Sequence, residues 1–191
     1  MSRADRARRI VARLLLTGGL LALTYAAYVV IDARTYQAVE HRRFEHARGD
    51  AAAAPALVDG DSIGEIQIPR VGLTAMVVQG ESPAILQRAV GHLAGTALPG
   101  ESGNVVLAGH RDTFFRPLKR VRPGDAITLR TRHGDFEYLV QSTAVVRPSD
   151  VEMIEPTTRR TLTLITCFPF SYLGPAPDRF IVRARETGEP R

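Results

Sequence analysis

An uncharged stretch of 18 residues, from Leu14 to Ile31, is the feature that most constrains how this chain can fold. A helix needs about 20 mainly apolar residues to cross the hydrocarbon core of a bilayer, so this stretch predicts a transmembrane helix. Five arginines and a single aspartate precede it. Arginines on that flank predict a cytoplasmic N-terminus and place the rest of the chain outside the membrane. We therefore expect a cytoplasmic basic tail at 1–13, followed by a membrane anchor at 14–31.

A cleaved signal peptide is the alternative interpretation of this segment. The apolar region of a signal peptide usually has about 7–15 residues and ends at a small-residue cleavage site. The stretch here is longer, and no convincing cleavage site follows it. Tyr25 and Tyr28 lie toward its C-terminal end, where aromatic side chains favour the membrane interface. These features favour an uncleaved, single-pass anchor in the cytoplasmic (inner) membrane.

The net charge of +5 does not indicate a nucleic-acid-binding protein. The first 31 residues carry +4 of that charge, which leaves +1 for the remaining 160. The basic character therefore belongs to the N-terminal tail, where it is explained by membrane orientation. We expect the lipid bilayer, and no nucleic acid, as a partner.

The segment that follows the anchor changes in composition before a folded domain begins. Between 33 and 48, apolar residues recur at helical spacing among charged ones, which predicts a juxtamembrane helix. The stretch GDAAAAPAL at 49–57 has small residues and a proline, which is typical of a linker. The predicted segments are a stalk and linker at 32–57, a folded domain at 58–187 and a short tail at 188–191.

Short apolar runs separated by Gly and Pro predict an all-β fold for the folded domain. About eight such runs, few helical patterns and no alternation of strands with long helices favour a barrel or a sandwich. Ser82 is placed to cap a short helix at 83–91, and 148–155 predicts a helical turn. The predicted strands are 62–68, 73–79, 104–108, 126–132, 135–141, 161–166 and 180–184.

Cys167 is the only cysteine of the chain. It cannot form an internal disulfide, and structural zinc sites usually use several cysteines. It ends the predicted strand TLTLIT and is followed by Phe-Pro-Phe, so it lies where a strand meets a loop and a substrate can approach. Most free cysteines are buried and inert, so catalysis by Cys167 requires an activating neighbour.

His110 and Arg179 are the candidates for that neighbourhood. His110 follows the apolar strand NVVLAG, and Arg179 begins the last predicted strand. Histidine is the usual proton carrier near neutral pH, and Cys–His is a recurrent nucleophile pair. An arginine can hold a substrate carbonyl or its developing negative charge. Each residue alone also has an ordinary structural explanation, namely a hydrogen bond in a turn for His110 and a surface ion pair for Arg179.

Taken together, these motifs resemble those of the sortases, membrane-anchored cysteine transpeptidases of bacterial surfaces. The family's TLxTC signature matches Thr163–Cys167, its histidine falls on His110 in GHRDTFF, and its arginine falls on Arg179 in RFIV. The spacings, 57 positions from His110 to Cys167 and 12 more to Arg179, agree as well. The resemblance runs from about residue 63 to 184 and is strongest to class D and related Gram-negative-type sortases.

The resemblance implies a closed eight-stranded β-barrel with short helices and a two-step acyl transfer. Cys167 would attack an LPxTG-like sorting signal of a surface protein to form a thioacyl enzyme. His110 would act as general acid and then as general base, while Arg179 would orient the peptide and stabilise the oxyanion. The implied partners are surface proteins that carry sorting signals and an amine acceptor from the cell envelope or a pilin.

Three further residues are possible supports for this site. Thr166 could offer its hydroxyl to the substrate or pack within the strand. Asp112 could orient His110 or cap a turn. His92 could line the same cleft or make a structural hydrogen bond.

We expect neither a cofactor nor a metal ion. Asp150, Glu152 and Glu155 share one Pro-bounded loop, and some sortases use calcium. Three acids in such a loop are too common a pattern to predict a calcium site.

Two other functions remain open from the sequence. The chain could be a membrane-tethered β-barrel that binds surface proteins without catalysis. It could also be a cysteine endopeptidase that only hydrolyses its substrate. The intact cysteine, histidine and arginine motifs favour the transpeptidase.

Overall fold

The computed structural model of the chain describes residues 3–47, 57–171 and 174–188. Within these ranges a long helix precedes a domain built almost entirely of strands. The helices are α1 (Arg3–Ala47) and α2 (Pro83–Leu86), with 3-10 turns at Pro69–Val71, Arg116–Arg120 and Val151–Met153. The strands are β1 (Ser62–Ile68), β2 (Leu73–Gln79), β3 (Val90–His92), β4 (Asn104–Ala108), β5 (Ala126–Thr131), β6 (Gly134–Val146), β7 (Thr161–Phe168) and β8 (Asp178–Glu186).

The eight strands form one closed barrel in the order β1-β2-β3-β4-β7-β8-β6-β5, which confirms the predicted fold. Closure is made by β5, which pairs antiparallel with β1. Two neighbouring pairs, β2 with β3 and β4 with β7, are parallel. The parallel pairing of β4 and β7 brings residues far apart in sequence to the same end of the barrel.

Alternating side chains of the strands fill the barrel interior. On β7, Leu162 and Leu164 are fully buried in the core, with Val105 and Leu107 of β4 beside them. Because successive strand residues face opposite sides, the odd-numbered residues of β7 face outward. This alternation decides which residues near the site can reach a ligand.

The N-terminal helix α1 has two parts with different surroundings. It has 45 residues and, at 1.5 Å per residue, is about 70 Å long. The stretch 14–31 is almost entirely exposed, and the helix is long and apolar enough to cross a membrane by length and composition. Its last turns lie against β1 and β2, and Phe44 is completely buried there.

Several details differ from the sequence predictions. Residues 83–91 do not form one helix: α2 ends at Leu86, and the rest leads into β3. Ser82 caps α2 as predicted, because its Oγ accepts a hydrogen bond from the Ile85 N–H at 3.4 Å. Gly91 permits the close packing of β3, because a Cβ at this position would lie 2.3 Å from the Gly80 carbonyl oxygen. Only glycine allows β3 to approach so closely.

The remaining elements agree more closely with prediction. The helix predicted from residue 33 is present, but it continues α1 without a break. The strand predicted at 135–141 extends to Val146 and pairs with β8 beyond an irregularity between Val140 and Ser142. Most of the predicted linker at 49–57 lies outside the described residues, as does the end of the predicted tail at 188–191.

Candidate active site

Cys167, His110 and Arg179 lie at the corresponding ends of three neighbouring strands, with His110 two residues beyond the end of β4. Cys167 of β7 is the direct cross-strand partner of Arg179 on β8. On the other side, Ala108 of β4 pairs with Ile165, and the Gly109 N–H donates to the Ile165 carbonyl at 3.2 Å. The same register, if continued two residues beyond the end of β4, would bring His110 next to Cys167. The 57-residue spacing between them equals the offset of the β4–β7 pairing.

All three side chains belong to the outer face of the barrel. The core residues Leu164 of β7 and Leu107 of β4 fix the inward positions, so Cys167 and His110 fall on outward ones. All three are partly exposed, neither buried nor fully solvated. A ligand lying across the ends of β4, β7 and β8 can therefore contact them together. We call Cys167, His110 and Arg179 the catalytic row, after the roles that are proposed for them below.

The position of His110 is fixed by the backbone on either side of it. The carbonyl of Gly109 accepts a hydrogen bond from Thr166 Oγ1 at 2.7 Å. The carbonyl of His110 accepts one from the Phe115 N–H at 3.0 Å. Phe115 is completely buried, and its ring would lie 2.8 Å from a Cβ on residue 109, so only glycine fits above it. These contacts hold the histidine at the end of β4.

The guanidinium of Arg179 keeps some of its hydrogen-bonding capacity. Its Nη1 donates to the carbonyl of Asp178 at 2.9 Å and reaches that of Ala176 at 3.4 Å. Within the described residues, Nε and Nη2 have no protein partner. An arginine presents five N–H donors in a rigid fork, so donors remain for a bound carbonyl or oxyanion.

Aromatic rings brace the ends of β7 and β8 around Cys167 and Arg179. Phe168, Phe170 and Phe180 form a cluster in which ring centroids lie 5.2 to 6.3 Å apart. Such spacings are favourable for edge-to-face and offset-stacked rings. Arg111 also donates from Nη2 to the carbonyl of Gly174 at 2.9 Å, which joins the loop after His110 to the loop before β8.

The comparison with known protein families identifies this architecture. The family model for the sortase domain matches residues 66–187, which include the whole catalytic row. The chain belongs to the sortase family. It is accordingly a cysteine transpeptidase, an enzyme of the kind that acts in surface-protein sorting.

Individual relatives support the assignment. The sortase is 28% identical over 193 residues to Sortase D of Bacillus subtilis, covering 92% of this chain and 96% of that protein. It is 30% identical over 188 residues to Sortase SrtE1 of Streptomyces coelicolor, covering 85% of this chain and 53% of that longer protein. A solved sortase D5 transpeptidase from Clostridium perfringens superposes with a TM-score of 0.68 at 27% identity, covering 81% of this chain and 98% of that one.

Thr166 and Asp112 have different surroundings in this sortase. Thr166 is buried, and its hydroxyl is bonded to the Gly109 carbonyl, so it supports the segment that carries His110. Asp112 is exposed in the turn after His110, and no hydrogen bond or ion pair joins it to His110 in the described part of the chain.

His92 lies on the other side of β4 from the catalytic row. It pairs with Leu107, a core residue, and is only 2% exposed. Its Nδ1 is 2.8 Å from Gln79 Oε1 and its Nε2 is 2.9 Å from the Ala97 carbonyl oxygen. Burial lowers the pKa of His92 below its ordinary value, which keeps the ring neutral at neutral pH. These contacts fit the structural role that the sequence left open.

The acidic loop at 150–155 does not form a metal-binding cluster in the sortase. Asp150 Oδ2 accepts a hydrogen bond from the Arg147 N–H at 3.0 Å and so stabilises its own turn. Within residues 3–47, 57–171 and 174–188, no group of three His, Cys, Asp or Glu side chains is arranged to hold a metal ion. The independence from metals and cofactors stays a prediction.

Sequence reasoning missed two residues that support the site. Gly109 and Phe115 flank His110 in the motif GHRDTFF, which was used only to recognise the family. The available signal was a glycine directly after an apolar strand, followed by two adjacent aromatic residues. This pattern is typical of a tight backbone turn closed over a buried ring.

Proposed function

We propose that this sortase cuts an LPxTG-like sorting signal in a surface protein and joins the new carboxyl end to an amine. The observation that carries the proposal is the catalytic row, in which a thiol, an imidazole and a guanidinium share one outward face. This set provides a nucleophile, a proton carrier and an anion-stabilising group. The chemistry divides into two steps.

In the first step, the Cys167 thiolate attacks the carbonyl carbon of the peptide bond that follows the threonine side chain of the signal, that is, the threonine's own carbonyl. The tetrahedral intermediate collapses as the carbon–nitrogen bond breaks and a thioester forms on Sγ. His110, in its imidazolium form, gives its proton to the departing amine. The C-terminal part of the signal leaves, and the surface protein is held as a thioacyl enzyme.

In the second step, an acceptor amine attacks the thioester carbonyl. Neutral His110 removes the proton from the attacking nitrogen, the carbon–sulfur bond breaks, and the Cys167 thiolate is regenerated. The product has one new amide bond for the one that was cut. No oxidant or cofactor is needed to balance either step.

Arg179 is assigned to the substrate carbonyl. Its pairing with Cys167 across β7 and β8 brings its guanidinium to the nucleophile's side of the peptide. Its unengaged donors can stabilise the oxyanion of each tetrahedral intermediate. The bonds from Nη1 to nearby carbonyls limit the movement of the fork.

The proposed setting is the outer surface of the cytoplasmic membrane. The stretch 14–31 of α1 would span the bilayer, with the basic tail inside and the barrel outside. The proposed partners are surface proteins with sorting signals and an envelope or pilin amine. This orientation puts the catalytic row in the compartment where such proteins emerge.

The test is an acyl-trap assay with a sorting-signal peptide and hydroxylamine. We expect hydroxamate product from the wild-type protein and at least a thousand-fold less, on the order seen when a catalytic nucleophile is removed, from Cys167→Ala. Ser102→Ala, exposed before β4, is the matched control and should retain full activity. Equal product from Cys167→Ala would reject the cysteine mechanism.

The same assay separates the alternatives left open by the sequence. Cleavage without any change in product ratio on adding amines would identify a hydrolase. Binding of the peptide without turnover, across several signal sequences, would identify a non-catalytic binding module.

A further inference from the structure

A basic face lies on the segment that follows His110. Residues 113–122 contain four cationic side chains and no acid. Three of them, Arg116, Lys119 and Arg120, line a shallow concavity of about 430 Å³ together with Thr113 and Pro117. All three are exposed. We call Arg116, Lys119 and Arg120 the basic face.

Carboxylates of the described residues do not neutralise the charges of the basic face. Within the described residues, Arg116 and Lys119 have no ion pair, and Arg120 donates to the Val71 carbonyl at 2.6 Å. Four other arginines of the folded domain are paired with acids. These pairs are Arg70–Asp125, Arg88–Asp32, Arg130–Glu65 and Arg160–Glu186.

A second cavity shows that the basic face lies close to α1. It has a volume of about 760 Å³ and lies between α1 and the barrel. Its walls include Val30 and Arg34 of α1 on one side and Phe114 on the other. Thr113 and Pro117 line both this cavity and the concavity of the basic face. The basic face therefore lies next to the point where α1 leaves its apolar stretch.

Arg34 adds a further cation at that point. It is exposed, lies three residues after Ile31 and lines the cavity with Val30. If 14–31 occupies the bilayer, Val30 lies at the membrane surface and Arg34 just above it. The basic face is then at the level of the lipid headgroups.

We propose that the basic face binds the headgroups of anionic phospholipids in the membrane that holds α1. The proposal rests on the proposed anchoring of residues 14–31. Unpaired cations close to an anionic bilayer are attracted to it, by roughly fivefold in affinity for each Lys or Arg, and the attraction decays within about 10 Å at 0.1 M salt. Contact through residues 116–120 would fix the segment that carries His110 against the membrane surface.

Lys119 provides a built-in reporter because it is the only lysine of the chain. The full-length protein is reconstituted into vesicles of phosphatidylcholine alone, or with phosphatidylglycerol added, and flotation establishes insertion. An uncharged amine-reactive ester is then applied, and mass spectrometry of the peptide containing residue 119 gives its labelling rate. We expect labelling several-fold slower in the anionic vesicles, with the difference removed by 1 M salt or by Arg116→Gln.

Arg159→Lys supplies the matched control. Residue 159 is exposed and precedes β7, at the opposite end of that strand from Cys167. Its labelling should be equal in both vesicle types. Equal labelling rates of Lys119 in the two vesicle types would overturn the proposal. Protection of residue 159 equal to that of Lys119 in anionic vesicles would also overturn it, because it would indicate non-specific adsorption of the whole domain.

Flotation separates this proposal from the anchoring on which it rests. Failure to float with neutral vesicles would reject the anchor and, with it, the headgroup contact as proposed. Flotation with neutral vesicles, but no protection of Lys119 in anionic ones, would reject the headgroup contact alone. Protection by a soluble polyanion but not by anionic vesicles would also overturn it, because the surface would then serve a different partner.

Discussion

Of two outer faces of the same barrel, one is open to solvent and the other is covered by α1. On β4, β7 and β8, the outward residues His110, Cys167 and Arg179 stay open to a ligand. On β1 and β2, the outward surface is covered by the last turns of α1. Gln37 of α1 accepts from the Met76 N–H at 2.8 Å, and its side-chain amide donates to the Arg88 carbonyl at 2.7 Å.

The covered face is held by charge as well as by packing. His41 Nδ1 lies 2.8 Å from Glu65 Oε2, and Glu45 lies 3.2 Å from Arg130. Glu65 has a side chain only 4% exposed and is also 3.4 Å from Arg130. The comparison shows that α1 is a structural part of the domain on the covered face. On the face with Cys167, the proposed chemistry depends on the register of β4, β7 and β8. Substitutions on the two faces should separate activity from stability.

Among the substitutions that compare the two faces, His110→Ala should cause the largest loss of activity. General acid–base groups contribute about 10²–10⁴ to a rate, and His110 would act in both proposed steps. Stability should change by less than about 1 kcal/mol, because the side chain is partly exposed. Steady-state transpeptidation and a thermal melt on the same protein check both statements. Activity within threefold of wild type would remove His110 from the proton-transfer role.

Phe44→Ala should give the opposite result. Phe44 is 0% exposed between α1 and the barrel, and truncation of a buried phenylalanine costs about 3–5 kcal/mol. We expect release of the last turns of α1 and faster hydrogen exchange at the Met76 amide, with peptide turnover nearly unchanged. Arg42→Ala, exposed two residues away, is the control and should alter neither. Lost turnover with unchanged exchange would contradict this division of the two faces.

Thr166→Val should have an intermediate effect on both properties. It removes the donor to the Gly109 carbonyl while keeping the shape of a fully packed side chain. An unsatisfied buried carbonyl costs about 1–3 kcal/mol, and a looser His110 should lower kcat about tenfold. Thr166→Ser keeps the hydroxyl and should restore most of kcat. Equal losses in the serine and valine variants would assign the effect to packing instead.

The sequence predicted the strands of the β4–β7–β8 face better than the docking on the covered face, for physical reasons; the catalytic roles of the residues there stay a prediction. Cys167, His110 and Arg179 lie at strand ends in motifs whose order and spacing reflect the pairing of β4, β7 and β8. The three-residue strand β3 is too short to show a period of two, and only three residues separate it from the proline-initiated helix α2. Its existence depends on a close approach at Gly91, which is a tertiary contact.

The docking of α1 could not be predicted from periodicity alone. The helical spacing at 33–48 correctly indicated a helix with one apolar side. A helix of this kind can extend as a stalk or pack on its own domain, and the sequence does not distinguish the two. The choice depends on contacts with partners distant in sequence, such as Met76 and Glu65, which only the folded barrel brings together.

The smallest expected effect concerns His92, on the strand between the two faces. Burial lowers its pKa from the ordinary 6.5, partly offset by the Ala97 carbonyl and by Glu101 and Glu81. At this position the unfolded chain therefore binds a proton more readily than the folded protein does. As pH falls below about 6.5, protonation favours the unfolded chain and the protein loses stability. His92→Gln should flatten the pH dependence of the melting temperature between pH 7 and 5.

The pH profile of catalysis provides the sharper part of this test. Because His92 is buried beside the core residue Leu107 and His110 is partly exposed, His92→Gln should leave the pH dependence of kcat unchanged. Measurements are kept above pH 5 to avoid Asp125, whose pKa is lowered from its ordinary 3.8 by its hydrogen bond to Arg70. Its contribution to stability is lost only below that value. A shift in the pH dependence of kcat in His92→Gln would contradict this prediction. It would mean that the buried histidine influences the catalytic row as well as stability.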